Sequence, residues 1–486
     1  MTKTILTLLL LTTSISFAAN VTVGSKTFTE SYILGEIFSQ VLEDTNDATV
    51  QRRFGLGGTG ILYQSLIRGS IDLYPEYTDT ISQAILKDPN IHSFEEIQKK
   101  LDKMGLIMSE PLGFDNTYAL AVRREFSEEN KIYSISDLKK ISNIRTGFGH
   151  EFVRRPDGLP GLLRYYQLNL PFSKTVSHSL GYQAIANNEI DLMDVYTTDA
   201  KIAKLDLYAL RDDRNFFPKY SAVILARKEF VKKHPDLWSA LTGLEGKIRV
   251  SEIVRLNGLV DLDKKTFSYA AKEFLEKKPE DTSSNISARV LLRTKEHIQL
   301  VFFAIFLSLI IGIPAGIIST RRRWLGQCIL LVSGVLQTVP SLALLCFLIP
   351  VFGIGTKPAL AALFLYSLLP IITGTTTGLQ TIDPRLIESA KALGLSPSQR
   401  LRMIEIPLAS RNIMAGIRTS TIISIGTATL SALIGAGGYG APIVTGLALN
   451  DIPTILTGAI PAAVMALIAH FFFEVLSRIV IPRGIR

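Results

Sequence analysis

Cysteine is scarce in this sequence, and its scarcity excludes two classes of site. The 486 residues include only Cys328 and Cys346, and both lie in a long apolar region. A disulfide framework and a zinc site built on thiolates are therefore excluded. The six histidines are scattered without the spacing of metal ligands, so no metal site is predicted.

A phosphate-binding loop is also missing. The chain contains no Gly-x4-Gly-Lys-Ser/Thr segment, the loop whose backbone amides cradle ATP phosphates. The glycine-rich turn Gly55–Gly60 follows a predicted strand, but its spacing is not that of a dinucleotide-binding fingerprint. We therefore predict no catalytic residues, no cofactor bound by this chain and no enzymatic activity.

Acidic residues are scarce in the C-terminal part of the chain. The segment His297–Arg486 contains 5 Asp and Glu against 13 Lys and Arg, whereas residues 1–296 contain 38 against 39. The formal net charge of +9 thus belongs to the apolar part, where basic residues are expected beside membrane spans. Because a membrane accounts for this charge, no nucleic-acid partner is predicted.

The first residues have the layout of a secretory signal. Lys3 precedes the apolar run Ile5–Leu11, and the small-residue cleavage site Ser16–Ala19 follows. We predict a signal peptide over residues 1–19 that is removed from the mature protein. The alternative, an uncleaved anchor, sends the following residues to the same side of the membrane.

Five uncharged stretches predict five spanning helices in a domain over residues 297–486. They are Ile298–Thr320, Trp324–Thr356, Pro358–Ile382, Thr419–Asn450 and Ile452–Phe473. If the N-terminal domain lies outside, the arginine-rich connections fall in the cytoplasm, as the positive-inside rule requires. We expect the second stretch to be one kinked span, because it contains Pro340 and Pro350. The sequence thus predicts a multi-pass protein of the inner (cytoplasmic) membrane, with residues 20–278 on its external, periplasmic side.

The part before the membrane spans repeats itself at an offset of 119 residues. The segment Tyr63–Thr78 recurs as Tyr182–Thr197, each with Tyr-Gln, then Ile-Asp-Leu, then Tyr-Thr at identical spacing. In both copies a helix leads into a short strand, and ligands bind at the carboxyl ends of strands in open α/β sheets. Two such lobes facing each other would place Tyr77 and Tyr196 on opposite walls of one cleft.

Two further apolar strands, beginning near Tyr118 and Tyr220, are predicted to pass between these lobes. Lobe 1 is expected at about residues 20–119 and 221–278, lobe 2 at about 120–220, and a linker at 279–296. The predicted fold class is an α/β two-lobed clamp with two hinge strands, followed by an all-α domain of five membrane helices.

Six segments of the first part carry a specific resemblance. They are Val23–Glu30, Asp72–Thr80, Gly113–Tyr118, Arg155–Gly158, Tyr196–Asp199 and Asp212–Tyr220. In content and order they resemble the substrate-binding proteins of osmoprotectant ABC importers, which take up glycine betaine, choline or carnitine. The C-terminal part resembles the matching permease. The resemblance implies a type II periplasmic-binding-protein clamp fused to a type I ABC importer transmembrane domain.

The segment 384–409 resembles the EAA coupling loop of ABC importer permeases. The matching residues are Glu388, Ala390, Gly394, Ile404 and Pro407. Ser389 and Ile406 depart from the pattern. The resemblance implies a separate cytoplasmic ATPase subunit that uses ATP, and a homodimer of the permease domain. The alternative is an interfacial helix lying on lipid headgroups.

The resemblance also implies an aromatic cage. A quaternary ammonium group has no N–H, so aromatic faces hold it better than hydrogen-bond acceptors do. The cage positions are Tyr77, Tyr118, Tyr196 and Tyr220. Asn116 lies where some family members carry an acid that assists the cation, and Asp115 is its neighbour. The alternative for any one tyrosine is packing in the core or the hinge.

A carboxylate on the ligand would need a cation. Lys26 and Arg155 match positions that serve this purpose in betaine-binding relatives, and Thr59 or Thr80 would add a hydroxyl. The alternative for Arg155 is an ordinary ion pair. Because both cations are present, we expect a zwitterion such as glycine betaine, carnitine or ergothioneine rather than choline.

The resulting prediction is a substrate-binding and permease subunit of an ABC importer for quaternary ammonium compounds, surrounded by membrane lipid. The rival prediction is a membrane-anchored ligand sensor without transport activity. The EAA-like loop and the absence of a recognisable signalling domain favour the importer.

Overall fold

The computed structural model describes residues 18–88, 91, 93–171, 174–278, 286–449 and 451–482. The predicted signal peptide therefore lies outside the described residues except for Ala18 and Ala19. The predicted linker over 279–296 is described only from Ile286, where the first membrane helix already begins.

Ten strands are described, all of them before the membrane helices. They are β1 (Ala19–Gly24), β2 (Ala48–Arg53), β3 (Leu73–Tyr77), β4 (Leu106–Met108), β5 (Tyr118–Arg123), β6 (Thr146–Gly149), β7 (Lys174–Val176), β8 (Leu192–Tyr196), β9 (Leu207–Leu210) and β10 (Ala222–Arg227). They form two five-stranded sheets, ordered β2-β1-β3-β10-β4 and β7-β6-β8-β5-β9. The two sheets are the cores of lobe 1 and lobe 2.

Helices connect the strands and cover the sheets, as α/β folds require. In chain order they are α1 (Thr29–Asp44), α2 (Thr59–Ile67), α3 (Thr78–Thr80), α4 (Phe94–Lys103), α5 (Arg124–Asn130), α6 (His150–Arg154), α7 (Leu159–Tyr166), α8 (His178–Ala186), α9 (Lys201–Lys204), α10 (Lys228–Lys233), α11 (Pro235–Thr242), α12 (Val250–Asp261) and α13 (Phe267–Phe274). A π-helical segment, Ile81–Leu86, continues α3, and a 3-10 helix spans Ile135–Lys140.

The two sheets have the same internal arrangement, which explains the sequence repeat. In lobe 1, β10 lies antiparallel to β3 and β4; in lobe 2, β5 lies antiparallel to β8 and β9. The repeated segments form β3 and β8, so Tyr77 and Tyr196 end equivalent strands. The chain crosses between lobes just before β5 and just before β10, where Asp115 and Ser221 form a β-bridge. The predicted two-lobed clamp with two crossing segments is confirmed.

The remaining helices form the membrane part. They are α14 (Ile286–Arg321), α15 (Arg323–Thr338), α16 (Ser341–Phe352), α17 (Thr356–Gln380), α18 (Pro384–Ala392), α19 (Pro397–Arg400), α20 (Ile406–Ala428), α21 (Gly440–Leu449) and α22 (Ile452–Val480). Four helical stretches in the described residues are long and apolar enough to span a membrane, and a fifth results if the bent pair α15–α16 counts as one span. The bend is 101° and falls at Pro340, whose ring disfavours helical geometry at the preceding residue.

The predicted bounds of the fourth span were wrong. The stretch Thr419–Asn450 is not one helix: the spanning helical segment runs from Pro397 to Ile434, and α21 is a separate short helix. Between them Gly435, Gly437 and Gly438 have positive φ angles of 75°, 79° and 72°. Glycine adopts this left-handed region without steric cost, so the chain can turn sharply there.

The clamp lies on the membrane part with both lobes in contact. In lobe 1, Leu56 and Leu62 share a buried apolar cluster with Leu300 of α14 and Leu345 of α16. In lobe 2, Ser179 Oγ donates a hydrogen bond to the Leu447 carbonyl oxygen of α21 at 3.1 Å. The cleft between the lobes therefore faces the membrane helices.

Candidate ligand-binding site

A cavity of about 480 Å³ lies between the two lobes. Its lining includes four tyrosines and four polar residues that the sequence singled out, namely Tyr77, Tyr118, Tyr196, Tyr220, Lys26, Thr80, Asn116 and Arg155. Leu433, Val444 and Leu447 of the membrane part line the same cavity. A larger cavity of about 770 Å³, between lobe 1 and the membrane helices, is lined by none of the predicted ligand residues.

Strand register brings the four tyrosines together. Tyr118 at the start of β5 pairs with Tyr196 at the end of β8, and Tyr77 at the end of β3 pairs with Ala222, two residues after Tyr220. The ring of Tyr118 lies 5.2 Å from that of Tyr196 and 5.8 Å from that of Tyr220, where it meets the ring edge-on.

The cage has a fifth aromatic ring that the sequence analysis did not identify. Phe28 lies 5.4 Å from the ring of Tyr196 and 6.3 Å from that of Tyr77, so it bridges the two lobes. Phe28 belongs to the segment Val23–Glu30, which carries part of the family resemblance. Its place in that segment could have identified it as a candidate ligand residue. Burial raises the pKa of the phenols of Tyr77, Tyr118 and Tyr196, so these rings stay neutral.

Glu30 is the second residue that the sequence analysis missed. Its Oε1 accepts hydrogen bonds from the Tyr77 hydroxyl at 2.5 Å and from Asn116 Nδ2 at 2.8 Å. Its Oε2 accepts from Thr198 Oγ1 at 2.6 Å and from Asn257 Nδ2 at 3.2 Å. Burial raises the pKa of this carboxyl, and the four donors partly offset the rise. Because Thr198 belongs to lobe 2 and Glu30 to lobe 1, this carboxylate joins the lobes.

The two cations that were predicted to meet a ligand carboxylate already have acidic partners. Lys26 Nζ forms a buried ion pair with Glu76 and lies 5.4 Å above the ring of Tyr77. Arg155 donates from Nε and Nη2 to Asp157 at 2.9 and 2.5 Å, and from Nη1 to Thr80 Oγ1 at 3.4 Å. Both cations thus have acidic partners in this structure, the alternative already considered for Arg155, and whether either also meets a ligand carboxylate stays a prediction.

The cavity lining also includes acidic and histidine residues that were not among the predicted ligand residues. His178 Nε2 lies 2.7 Å from Asp199 Oδ2, and its ring is 4.4 Å from the ring of Tyr196. Burial alone lowers the pKa of His178, but the Asp199 carboxylate outweighs it and raises the pKa. Asp194 and Glu151 line the cavity as well.

Two predicted ligand residues lie elsewhere. Asp115 accepts a hydrogen bond from Ser221 Oγ at 2.6 Å in the crossing segments and does not line the cavity. Thr59 begins α2, where its N–H donates to Glu151 Oε1 at 3.2 Å across the lobes, and it lines a separate cavity of about 580 Å³. For all ten residues, ligand contact itself stays a prediction.

The predicted coupling segment forms a short helix, a turn and the start of a span. Ala390 is buried on α18, and Gly394 has φ +77°, the left-handed geometry common just after a helix end. Glu405, between Ile404 and Pro407, is buried and pairs with Arg321 at the end of α14 and with Arg400 Nε at 2.7 Å. Glu388 and Pro407 are placed on α18 and α20.

Two family models match this chain. Residues 19–277 match the substrate binding domain of ABC-type glycine betaine transport system. Residues 312–486 match the binding-protein-dependent transport system inner membrane component. The first match covers lobe 1 and lobe 2, and the second covers most of the membrane helices.

Individual proteins resemble one part of the chain or the other. The ergothioneine transport permease/ergothioneine binding protein EgtU of Helicobacter pylori (strain G27) is 39% identical over 260 residues, which are 52% of this chain and 47% of that protein. The choline transport system permease protein OpuBB of Bacillus subtilis (strain 168) is 41% identical over 197 residues, 40% of this chain and 91% of that protein. A crystal structure of a glycine betaine/carnitine/choline ABC transporter is 30% identical, with a TM-score of 0.45, over 53% of this chain and 97% of that one. The chain thus matches about half the length of the Helicobacter relative.

Proposed function

Because the chain belongs to the family of substrate-binding domains of ABC-type glycine betaine transport systems, and carries an inner-membrane transport component on the same polypeptide, we propose that it captures a quaternary ammonium compound and imports it. The ligand class includes glycine betaine, carnitine, choline and related betaines such as ergothioneine. The chain is a multi-pass membrane protein with a substrate-binding domain.

The tyrosine cage carries this proposal. Tyr77, Tyr118, Tyr196 and Tyr220 line one cavity, and Phe28 completes the group between the lobes. A neutral aromatic face attracts a methylated cation through its quadrupole, and a desolvated contact contributes about 2 kcal/mol or more. A methylated nitrogen offers no hydrogen bond, so such a cage suits it better than it suits an ordinary amine.

The coupling segment supports an importer rather than a sensor. A permease of this family implies an ABC ATPase partner. The helix α18 and the exposed Leu393 that follows it would offer that partner a docking surface. We place the clamp on the external side of the inner membrane, with the ATPase and its ATP in the cytoplasm. Two copies of the permease domain would enclose the translocation path within the lipid bilayer.

Calorimetry on the full chain in detergent tests the ligand class. We expect at least one of glycine betaine, carnitine, choline and ergothioneine to bind with a 1:1 stoichiometry. Tyr196→Leu should weaken binding roughly 30-fold, which corresponds to the loss of one desolvated cation–π contact. Tyr165→Leu is the matched control, because Tyr165 is exposed on α7 and does not line the cavity. Failure of all four compounds to bind would overturn the proposal.

A further inference from the structure

We propose that Asp194 determines specificity by accepting a hydrogen bond from an O–H or N–H group at the end of the ligand remote from its quaternary nitrogen. This inference rests on the proposed function and narrows its ligand class. It favours ligands that combine a methylated cation with a hydrogen-bond donor over glycine betaine, which carries none.

The position of Asp194 follows from strand geometry. Residues 194 and 196 of β8 are two apart, so their side chains leave the same face of the strand. Tyr196 belongs to the cage, and both residues line the cavity. Asp194 is 4% exposed, so its carboxylate meets little besides the cavity and the surrounding protein.

Only one of its two oxygens accepts a hydrogen bond from another described residue. Oδ1 accepts a hydrogen bond from the Gly149 N–H at 2.6 Å. No other described residue donates a hydrogen bond to Oδ2, which leaves this oxygen able to accept one from the cavity. A carboxylate that loses water when a ligand fills the cavity needs a donor in its place, and natural sites normally supply one. Burial also raises the pKa of this carboxyl, and His178, the Gly149 N–H and the backbone N–H of Asp194 itself oppose the rise. The partner that Oδ2 lacks is what an occupant of the cavity would provide.

The remaining charges around the cavity favour a donor there. Lys26 and Arg155 are each neutralised by a buried acid, and His178 is paired with Asp199. Among the described residues, Asp194 and Glu151 are the acids lining the cavity that form no ion pair, although His178 lies close enough to lower the pKa of Asp194. Glu151 instead accepts the Thr59 backbone N–H. A ligand carboxylate next to Asp194 would be repelled, whereas a hydroxyl or ring N–H would be bound.

Common quaternary ammonium compounds separate on this criterion. Choline carries a hydroxyl at its remote end, and the imidazole-thione ring of ergothioneine carries N–H groups there. Carnitine carries its hydroxyl in mid-chain and a carboxylate at its remote end. Glycine betaine and tetramethylammonium carry no O–H or N–H group. A site built to hydrogen-bond a donor rejects the analogue that lacks it, because the buried acceptor is then left unpaired.

The test is calorimetry on the full chain with these five compounds, for the wild type and Asp194→Asn. Asparagine keeps an acceptor for the Gly149 N–H and turns an NH2 group towards the cavity. We expect the tightest ligand to carry an O–H or N–H donor and to lose at least about tenfold in affinity in the variant. Tetramethylammonium should change by less than about threefold. Asp236→Asn changes an exposed aspartate in the first turn of α11, outside the cavity; it is the control and should change neither.

Three outcomes would overturn the inference. Glycine betaine binding tightest would do so, as would an equal loss for donor-bearing and donor-free ligands, which would indicate a purely structural role. An unchanged affinity of the donor-bearing ligand in Asp194→Asn would do so too. In all three cases the proposed function survives, because a quaternary ammonium still binds; absence of binding by every compound would remove both.

Discussion

The Lys26–Glu76 ion pair allows a direct test of whether Lys26 serves to neutralise a buried carboxylate. Lys26 is 5% exposed and Glu76 is fully buried, and Glu76 Oε1 also accepts the Tyr77 N–H at 3.0 Å. If Lys26 serves mainly to neutralise Glu76, Lys26→Met leaves a buried carboxylate without its cation. Removing one partner of a buried ion pair costs about 3–5 kcal/mol. The double variant Lys26→Met/Glu76→Gln should recover most of that loss, because no uncompensated charge remains.

Urea unfolding followed by tryptophan fluorescence measures this free energy. The sequence has two tryptophans, of which Trp238 packs against the core of the clamp and Trp324 lies in α15. In a Trp324→Phe background the signal reports on the clamp alone. With a denaturant slope of about 2–3 kcal/mol/M, the expected loss lowers the midpoint of Lys26→Met by about 1–2.5 M.

Ligand-binding measurements distinguish a Lys26 that only neutralises Glu76 from a Lys26 that binds the ligand carboxylate, as the sequence predicted. In the double variant the ratio of the glycine betaine and choline dissociation constants should match the wild-type ratio. The reasoning would be refuted if Lys26→Met lowered the free energy of unfolding by less than about 1 kcal/mol and selectively weakened glycine betaine binding. That result would indicate that Lys26 binds the ligand carboxylate.

Two further predictions concern coupling and pH. Gly394→Val forces a β-branched residue into a backbone conformation with φ +77°. The variant should therefore abolish substrate uptake by the reconstituted transporter and leave ligand affinity unchanged. Uptake at the wild-type rate would indicate another docking surface for the ATPase. The pKa of His178 is raised in the folded state, so protonated His178 stabilises the clamp fully below its unfolded pKa of about 6.5, and this contribution is lost as the pH rises through the folded pKa. The pKa of Asp199 is lowered in the folded state, so ionised Asp199 stabilises the clamp above about pH 4, and this contribution is lost as the pH falls further. The free energy of unfolding should therefore fall above pH ~6.5 in the wild type and not in His178→Gln, and identical pH profiles of the two would contradict the ion pair.

Local sequence determined the fold class and the positions of the cage. The repeat at an offset of 119 residues placed Tyr77 and Tyr196 at equivalent strand ends, because short-range periodicity reports strands and helices directly. Uncharged stretches located most of the membrane helices, because about 20 consecutive apolar residues are needed to span a bilayer. The bounds of the fourth span could not be predicted, because apolar composition does not distinguish a spanning helix from a glycine turn followed by a short helix.

The identity of each charged partner was beyond the sequence and was decided by tertiary structure. Glu76 lies 50 residues from Lys26, Thr198 lies 168 residues from Glu30, and Asp194 faces the cage only because β8 pairs with β5. An ion pair depends on which side chains the folded chain brings within a few ångströms, and residue type alone does not state this. The sequence therefore determined that aromatic rings and cations meet in one cleft, and tertiary contacts within each lobe decided that those cations are already paired with acids.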